Sequence, residues 1–307
     1  MRVLFAGTPA PAVPTLRALL DAGHDVVAVA TNPAAPSGRG KQLTASPVAA
    51  EAAALGLPLL QPVKAREPWF VDAVKELAPD VAVIVAWGCL IPDSLLAVPV
   101  HGWVNVHFSL LPAWRGAAPV QRAIMAGDEV SGVTTFELVH DLDAGPVYRQ
   151  VAVDVAPHET SGELLERLAV VGAEALVGTL TDIAAGVKPT HQPLDGVTLA
   201  PKVATEDARI DWSQPAATVE ALVRGVTPHP GAWTTFDDAR FKVDGVELAD
   251  TSTPLAPGEL LATKKDLLIG TGDGALRLVR VQAVGKPMMD AAAWSRGARL
   301  APGARFE

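Results

Sequence analysis

Apolar residues follow two alternating patterns along most of the chain. Unbroken runs at Val3-Leu4-Phe5-Ala6, Val26-Val27-Ala28-Val29-Ala30, Leu57 to Leu60 and Val81-Ala82-Val83-Ile84-Val85 read as strands buried on both faces. Between them lie segments with one apolar face at helical spacing. These are Leu16, Leu19 and Leu20 ending at Gly23, then Val48 to Leu55, then Trp69 to Leu77. Strand, helix, strand with apolar strands predicts βαβ units and a parallel sheet, with Val81 to Val85 central. A strand over Gly102 to Val106, a helix over Val120 to Ala126 and strands over Val133 to Leu138 and Val147 to Val155 follow. Thr160-Ser161-Gly162-Glu163 predicts a capped helix running from about Leu164 to Ala185 and stopped by Gly186. Asn32 to Pro47 reads as a polar loop, long for a connection in an α/β unit.

The pattern then changes. Pro189 to Val203 has no clear period and reads as a linker. Beyond a helix at Ala217 to Val226 come short apolar segments broken by turns: Ala232 to Phe236, Arg240 to Val243, Leu267 to Ile269 and Ala275 to Val279. Asp244-Gly245 and Gly272-Asp273-Gly274 carry hairpin signals. The expected class is α/β: a mostly parallel N-terminal domain over 1–189, a linker over 190–206 and a small antiparallel β-barrel domain over 207–307.

Composition narrows the class. A single cysteine, Cys89, excludes a disulfide scaffold and favours a cytoplasmic protein. No signal-peptide pattern and no apolar run long enough to span a bilayer is present, so no membrane partner is expected. The net charge of −9 argues against a general nucleic-acid coat. It is unevenly spread: residues 264–307 hold 8 basic and 4 acidic side chains, leaving room for a local basic surface.

Candidate chemistry gathers at the strand end Asn105-Val106-His107. Residues two apart on a strand share a face, and polar groups at the carboxyl end of a buried strand sit where open α/β sheets bind ligands. A second polar turn, Asp141-Leu142-Asp143-Ala144-Gly145-Pro146, offers a carboxylate from either Asp141 or Asp143. An amide, an imidazole and a carboxylate suit acyl transfer through a tetrahedral intermediate without a covalent adduct. Metal-ligand spacing, a GxSxG elbow around Ser109, a phosphate-binding P-loop and a dinucleotide GxGxxG are all missing.

Several stretches point further: Phe5-Ala6-Gly7-Thr8-Pro9, Gly38-Arg39-Gly40-Lys41 before Ser46-Pro47-Val48, Asn105-Val106-His107 with Ser109-Leu110-Leu111-Pro112, Trp114-Arg115-Gly116-Ala117-Ala118-Pro119, Leu142-Asp143-Ala144-Gly145, and Ala208-Arg209-Ile210-Asp211-Trp212. In these the chain resembles the methionyl-tRNA formyltransferase family of folate-dependent formyltransferases, over essentially its whole length. The resemblance implies a Rossmann-like N-terminal domain and an OB-like, tRNA-binding C-terminal barrel. It implies 10-formyltetrahydrofolate as donor, no metal, and the α-amine of methionyl-initiator tRNA as acceptor, in a protein expected to be monomeric. It places Asn105, His107 and Asp143 in the catalytic positions. Ser109, Leu110, Leu111 and Pro112 would line the folate site, with Trp87, Gly88 and Leu90 bordering the pterin. Arg39 and Lys41 would contact the tRNA acceptor end. The expected chemistry has Asn105 and His107 steadying an oxyanion, His107 as a charged donor helped by Asp143, while Asp143 receives the amine proton. Phe108 and Asp141 stand where the family commonly has Gly, and Trp87 replaces a usual Tyr. The Asn-x-His motif is shared with formyltransferases for small amines, such as amino sugars or glycinamide ribonucleotide, and with formyltetrahydrofolate-hydrolysing relatives. The Ala-Gly-Thr-Pro opening, the Gly-Arg-Gly-Lys loop and the C-terminal domain favour the tRNA branch.

Overall fold

The computed structural model describes residues 1–37, 42–251 and 253–307. Its chain divides into two compact units, one of Met1–Gly116, Val130–Asp154 and Leu165–Leu199, the other of Ala117–Glu129, Val155–Leu164 and Ala200–Glu307.

In the first unit the unbroken apolar runs form the sheet. Strands β1 (Arg2–Gly7), β2 (Asp25–Ala30), β5 (Leu59–Leu60), β6 (Val81–Val85) and β7 (Trp103–His107) are parallel. They are joined in order by β8 (Val130–Glu137) and β9 (Val147–Asp154), which are antiparallel, giving the order β5-β2-β1-β6-β7-β8-β9. The central strands bury nearly every side chain, as a sheet covered on both faces requires. Helices α1 (Val13–Asp21), α2 (Pro47–Ala54), α3 (Pro68–Leu77) and α4 (Asp93–Leu96) connect the parallel strands, and α6 (Ser161–Ala184) follows β9. The predicted cap of α6 forms as a capping box. The Thr160 N–H donates to Glu163 Oε2 at 2.9 Å, and the Glu163 N–H donates back to Thr160 Oγ1 at 3.3 Å. The segment read as a polar loop carries two short antiparallel strands, β3 (Ala35–Ser37) and β4 (Gln42–Thr44). With three residues each and no alternation, they leave no periodic signal.

The second unit contains α5 (Pro119–Ala126), α7 (Ala216–Gly225) and a curled antiparallel half-barrel. Its strands are β10 (Trp233–Phe236), β11 (Ala239–Ala249), β12 (Leu260–Ala262), β13 (Leu267–Gly270), β14 (Ala275–Gln282) and β15 (Met289–Asp290), ordered β10-β11-β14-β13-β12 with β15 on β14. Gly272-Asp273-Gly274 does join the antiparallel pair β13 and β14. Asp244-Gly245 is not a turn: β11 runs straight through it, and the reversal lies at Asp237-Asp238, where φ is 51° and 58°. The reason is a change of buried face. Phe241 and Val243 are buried before Gly245 and Val246 after it, while the paired strand buries Leu276 and Leu278 on one side and Val281 on the other. The strong curl of the sheet needs the glycine there, where φ is 93°.

Helix α8 (Ala291–Ala298) closes the unit, capped by Asp290 through the Ala293 N–H at 2.7 Å. The last residues then bind both sheet edges. Leu260 N–H donates to Ala304, Phe306 N–H to Gly258, and Thr235 and Glu307 exchange two backbone bonds. Phe306 is buried against Phe241 at 4.8 Å, with Trp212, Phe236 and Trp294 around it. Phe306→Ala should cost about 3–5 kcal/mol in urea unfolding, against a change within about 0.5 kcal/mol for the exposed Leu248→Ala.

Candidate active site at the ends of the parallel strands

Strand order reverses between β1 and β6, because β1 leads through α1 to β2 on one side and pairs with β6 on the other. Open α/β sheets bind ligands outside the carboxyl ends of the strands at such a point. β7 lies beside β6 and ends there on His107. Asn105 and His107 share one face of β7, while Val106 and Phe108 take the other, where both rest near Gly172 of α6. Phe108 is buried on that far face, away from the two polar side chains.

His107 is 6% exposed. Its Nε2 lies 2.8 Å from the Trp114 carbonyl, and its ring meets Phe136 edge-on at 6.4 Å. A carbonyl can only accept, so Nε2 carries the hydrogen and Nδ1 of the neutral ring is bare. Nδ1 faces Asp143 Oδ2 at 3.7 Å. Burial lowers the imidazole pKa, opposed by the Asp143 charge and by the Trp114 hydrogen bond. Burial thus favours a neutral resting ring, where the resemblance implies a charged donor. Two acceptors face each other across a gap that suits a donated N–H.

Position in the chain left Asp141 and Asp143 open, and the fold separates them. The Asp141 carboxylate is 88% exposed beside His140, whereas that of Asp143 is 11% exposed and accepts the Gly116 N–H at 2.8 Å. Asp143 is left-handed, with φ of 46°. Its turn closes on Gly145, where any side chain would meet the Glu137 carbonyl oxygen at 1.7 Å. The Asn105 amide takes no hydrogen bond from the described residues.

The loop after β7 is tied to β8 by Thr134, which stands opposite His107. Its hydroxyl donates to the Ser109 carbonyl at 2.7 Å and accepts the Leu111 N–H at 3.1 Å. Gln150 adds a bond to the Leu111 carbonyl, and the Ser109 hydroxyl donates to Ala113 at 2.6 Å. Leu110 lies over Gly132, where a Cβ would come within 2.6 Å of it, and Leu111 and Pro112 are joined by a cis bond. In the loop after β6, Gly88 is exposed and Leu90 is 92% exposed, whereas Trp87 is buried against Phe70. Trp87 Nε1 is itself buried and has no partner among the described residues. Arg39 and Lys41 lie outside the described residues. Among the described residues no group of three or more His, Cys, Asp and Glu is placed to hold a metal ion.

Sequence reasoning missed the supports in the segment read as a linker. Thr190 exchanges two backbone bonds with Val147. Gln192 Nε2 donates to the Asp143 and Gly145 carbonyls, both at 2.8 Å, and its Oε1 accepts from Arg115. Thr198 accepts the Trp114 N–H on its hydroxyl and the Arg115 N–H on its carbonyl. The only signal for them was the absence of a repeating pattern. Thr134 had one: a strand antiparallel to β7 places a residue opposite each member of the motif.

Comparison with known proteins gives consistent results. The chain matches the formyl transferase family over residues 1–180 and the formyl transferase C-terminal domain over 202–299. It is 54% identical to a methionyl-tRNA formyltransferase of Streptomyces coelicolor over 99% of both chains. It is 52% identical to one of Thermobifida fusca over 100% of this chain and 99% of that one. Among solved structures it shares the fold of HypX from Aquifex aeolicus in complex with tetrahydrofolic acid, with a TM-score of 0.66 and 20% identity. That match covers 96% of this chain and 47% of HypX, so the chain spans less than half of HypX.

A titration of His107 by two-dimensional NMR should show an Nε2-protonated neutral ring that gains its second proton below the ordinary imidazole value of 6.5. A midpoint above that value would mean the Asp143 charge outweighs burial.

Proposed function

The chain belongs to the methionyl-tRNA formyltransferase family, and we propose that it moves the formyl group of 10-formyltetrahydrofolate to the α-amine of methionyl-initiator tRNA using Asn105, His107 and Asp143. The observation that carries the site assignment is the bare Nδ1 of His107 facing Asp143 Oδ2 at 3.7 Å, on the strand face it shares with Asn105. Relatedness over the full length, C-terminal domain included, favours a tRNA acceptor over a small amine.

The neutral amine attacks the formyl carbon, and the Asn105 amide donates to the oxygen on which charge develops. The amine proton passes into the gap between His107 and Asp143. Protonated at Nδ1, His107 is then an imidazolium balanced by the carboxylate, and it returns that proton to the folate nitrogen as the carbon–nitrogen bond breaks. The amine loses one proton and the leaving nitrogen gains one. His107 thus acquires its charge during the reaction rather than before it. Ser109 to Pro112, with Gly88 and Leu90, line the donor side. Among the described residues no helix is long and apolar enough to cross a membrane, and a translation substrate fits work in the cytoplasm.

Formylation of methionyl-tRNA with labelled donor tests the reading. Asn105→Ala and His107→Ala should each lower kcat by about two to three orders of magnitude, the loss expected for one oxyanion donor or proton carrier. Near-normal turnover in both would remove the assignment. By resemblance, Arg39 and Lys41 bind the acceptor arm. Arg39→Ala combined with Lys41→Ala should raise the KM for tRNA and flatten its dependence on salt, leaving folate binding unchanged. Equal loss of folate affinity would count against that role.

A further inference from the structure

We propose that Gln192 is a positioning residue for the transfer: its side-chain amide joins the turn carrying Asp143 to the loop that partners His107, and so sets the gap between carboxylate and imidazole. The inference rests on the reading of that pair given above.

Gln192 Nε2 donates to the carbonyls of Asp143 and Gly145, both at 2.8 Å. Its Oε1 accepts from Arg115 Nη2 at 2.7 Å and from Arg115 Nε at 3.2 Å. A primary amide has two donor hydrogens and two acceptor sites, and these four bonds use all of them. They also fix its sense, since carbonyls can only accept and a guanidinium can only donate.

The positions of the partners give the amide its leverage. Asp143 is held left-handed, a conformation that a non-glycine residue keeps only when its surroundings impose it. Gln192 grips the carbonyls of that residue and of Gly145, which closes the turn. On the other side, Arg115 lies between the two residues whose backbones bind the catalytic pair. The Trp114 carbonyl takes the Nε2 hydrogen of His107, and the Gly116 N–H binds Asp143 Oδ2. One half-buried side chain thus spans both anchors of a 3.7 Å gap. Reacting groups are sensitive to displacements of this kind, and a misplacement of about 1 Å can cost about a hundredfold in rate.

Two substitutions separate the halves of the bridge. Gln192→Leu removes both. Gln192→Glu keeps an acceptor for Arg115 but cannot donate to the two carbonyls, so it preserves a fold tie while releasing the turn. Formylation by the full chain should show kcat lowered about tenfold to a hundredfold in both, with the KM for donor and for tRNA each within about threefold of the parent. In an Asp143→Asn background, Gln192→Leu should lower kcat by less than about twofold more, because the group it positions is already disabled. The His107 ring 15N shifts should move in Gln192→Glu at unchanged thermal midpoint. Losses that multiply in the double variant, or wild-type kcat in both Gln192 variants beside a strong loss in Asp143→Asn, overturn the inference alone. Full activity in Asp143→Asn overturns the reading of the pair and this inference with it.

Discussion

The reactive crevice depends on a hydrogen bond whose direction chemistry fixes. Trp114 offers His107 a carbonyl, and a carbonyl cannot donate. That one bond decides which ring nitrogen is protonated, and so which nitrogen faces Asp143. Burial then favours the neutral ring, because an imidazolium loses more by leaving water than a nearby carboxylate returns. Much of the surrounding structure keeps this arrangement from relaxing. β8 ends with Glu137 opposite Val104, so the β8–β9 connection must come back along β7 before Asp143 can reach His107. Gly145 permits that return, and the Gly116 amide holds its end.

Much of this was legible in the sequence, and the limits have physical causes. Unbroken apolar runs gave the parallel strands because strands buried on both faces need nothing else. Asn105 and His107 stood out because period two places them on one face of β7. Asp143 could not be separated from Asp141 on spacing, since the choice depends on a left-handed turn closed by a glycine contact made only in three dimensions. Trp87 was expected at a pocket edge, but its ring is buried against Phe70 and its N–H is buried with it. Gln192 was invisible because it acts through its amide in a segment that has no hydrophobic pattern to read. Asp244-Gly245 misled for the opposite reason: a strong local signal marked a change of buried face instead of a change of direction.

The half-barrel shows how few residues can hold a curled sheet. Within its largely aliphatic core sits an aromatic cluster, in which Phe236 meets Phe241, Trp294 and Phe306 edge to face and the other pairs are tilted. Rings in that geometry gain quadrupole attraction beyond the area they bury. The tail that carries Phe306 also satisfies backbone groups on both sheet edges, at Gly258–Leu260 and at Thr235. Edges left open would be templates for another chain.

The order of strands also has a consequence in time. β1 precedes every other strand of its sheet in the chain and is wholly apolar from Val3 onward, yet it sits in the middle of the sheet. One neighbour, β2, arrives soon. The other, β6, pairs Val81 with Val3 only after β3, β4, α2, β5 and α3 have been made. Until then a growing chain presents one unpaired apolar edge, the kind of surface that chaperones cover and that misfolding exploits. The side of β1 that stays open is the side on which β6 and β7 assemble, so the half of the sheet that bears the reactive groups is the half completed later. During synthesis, that edge is covered with β6, before β7 and the Asp143 turn bring the reactive groups together.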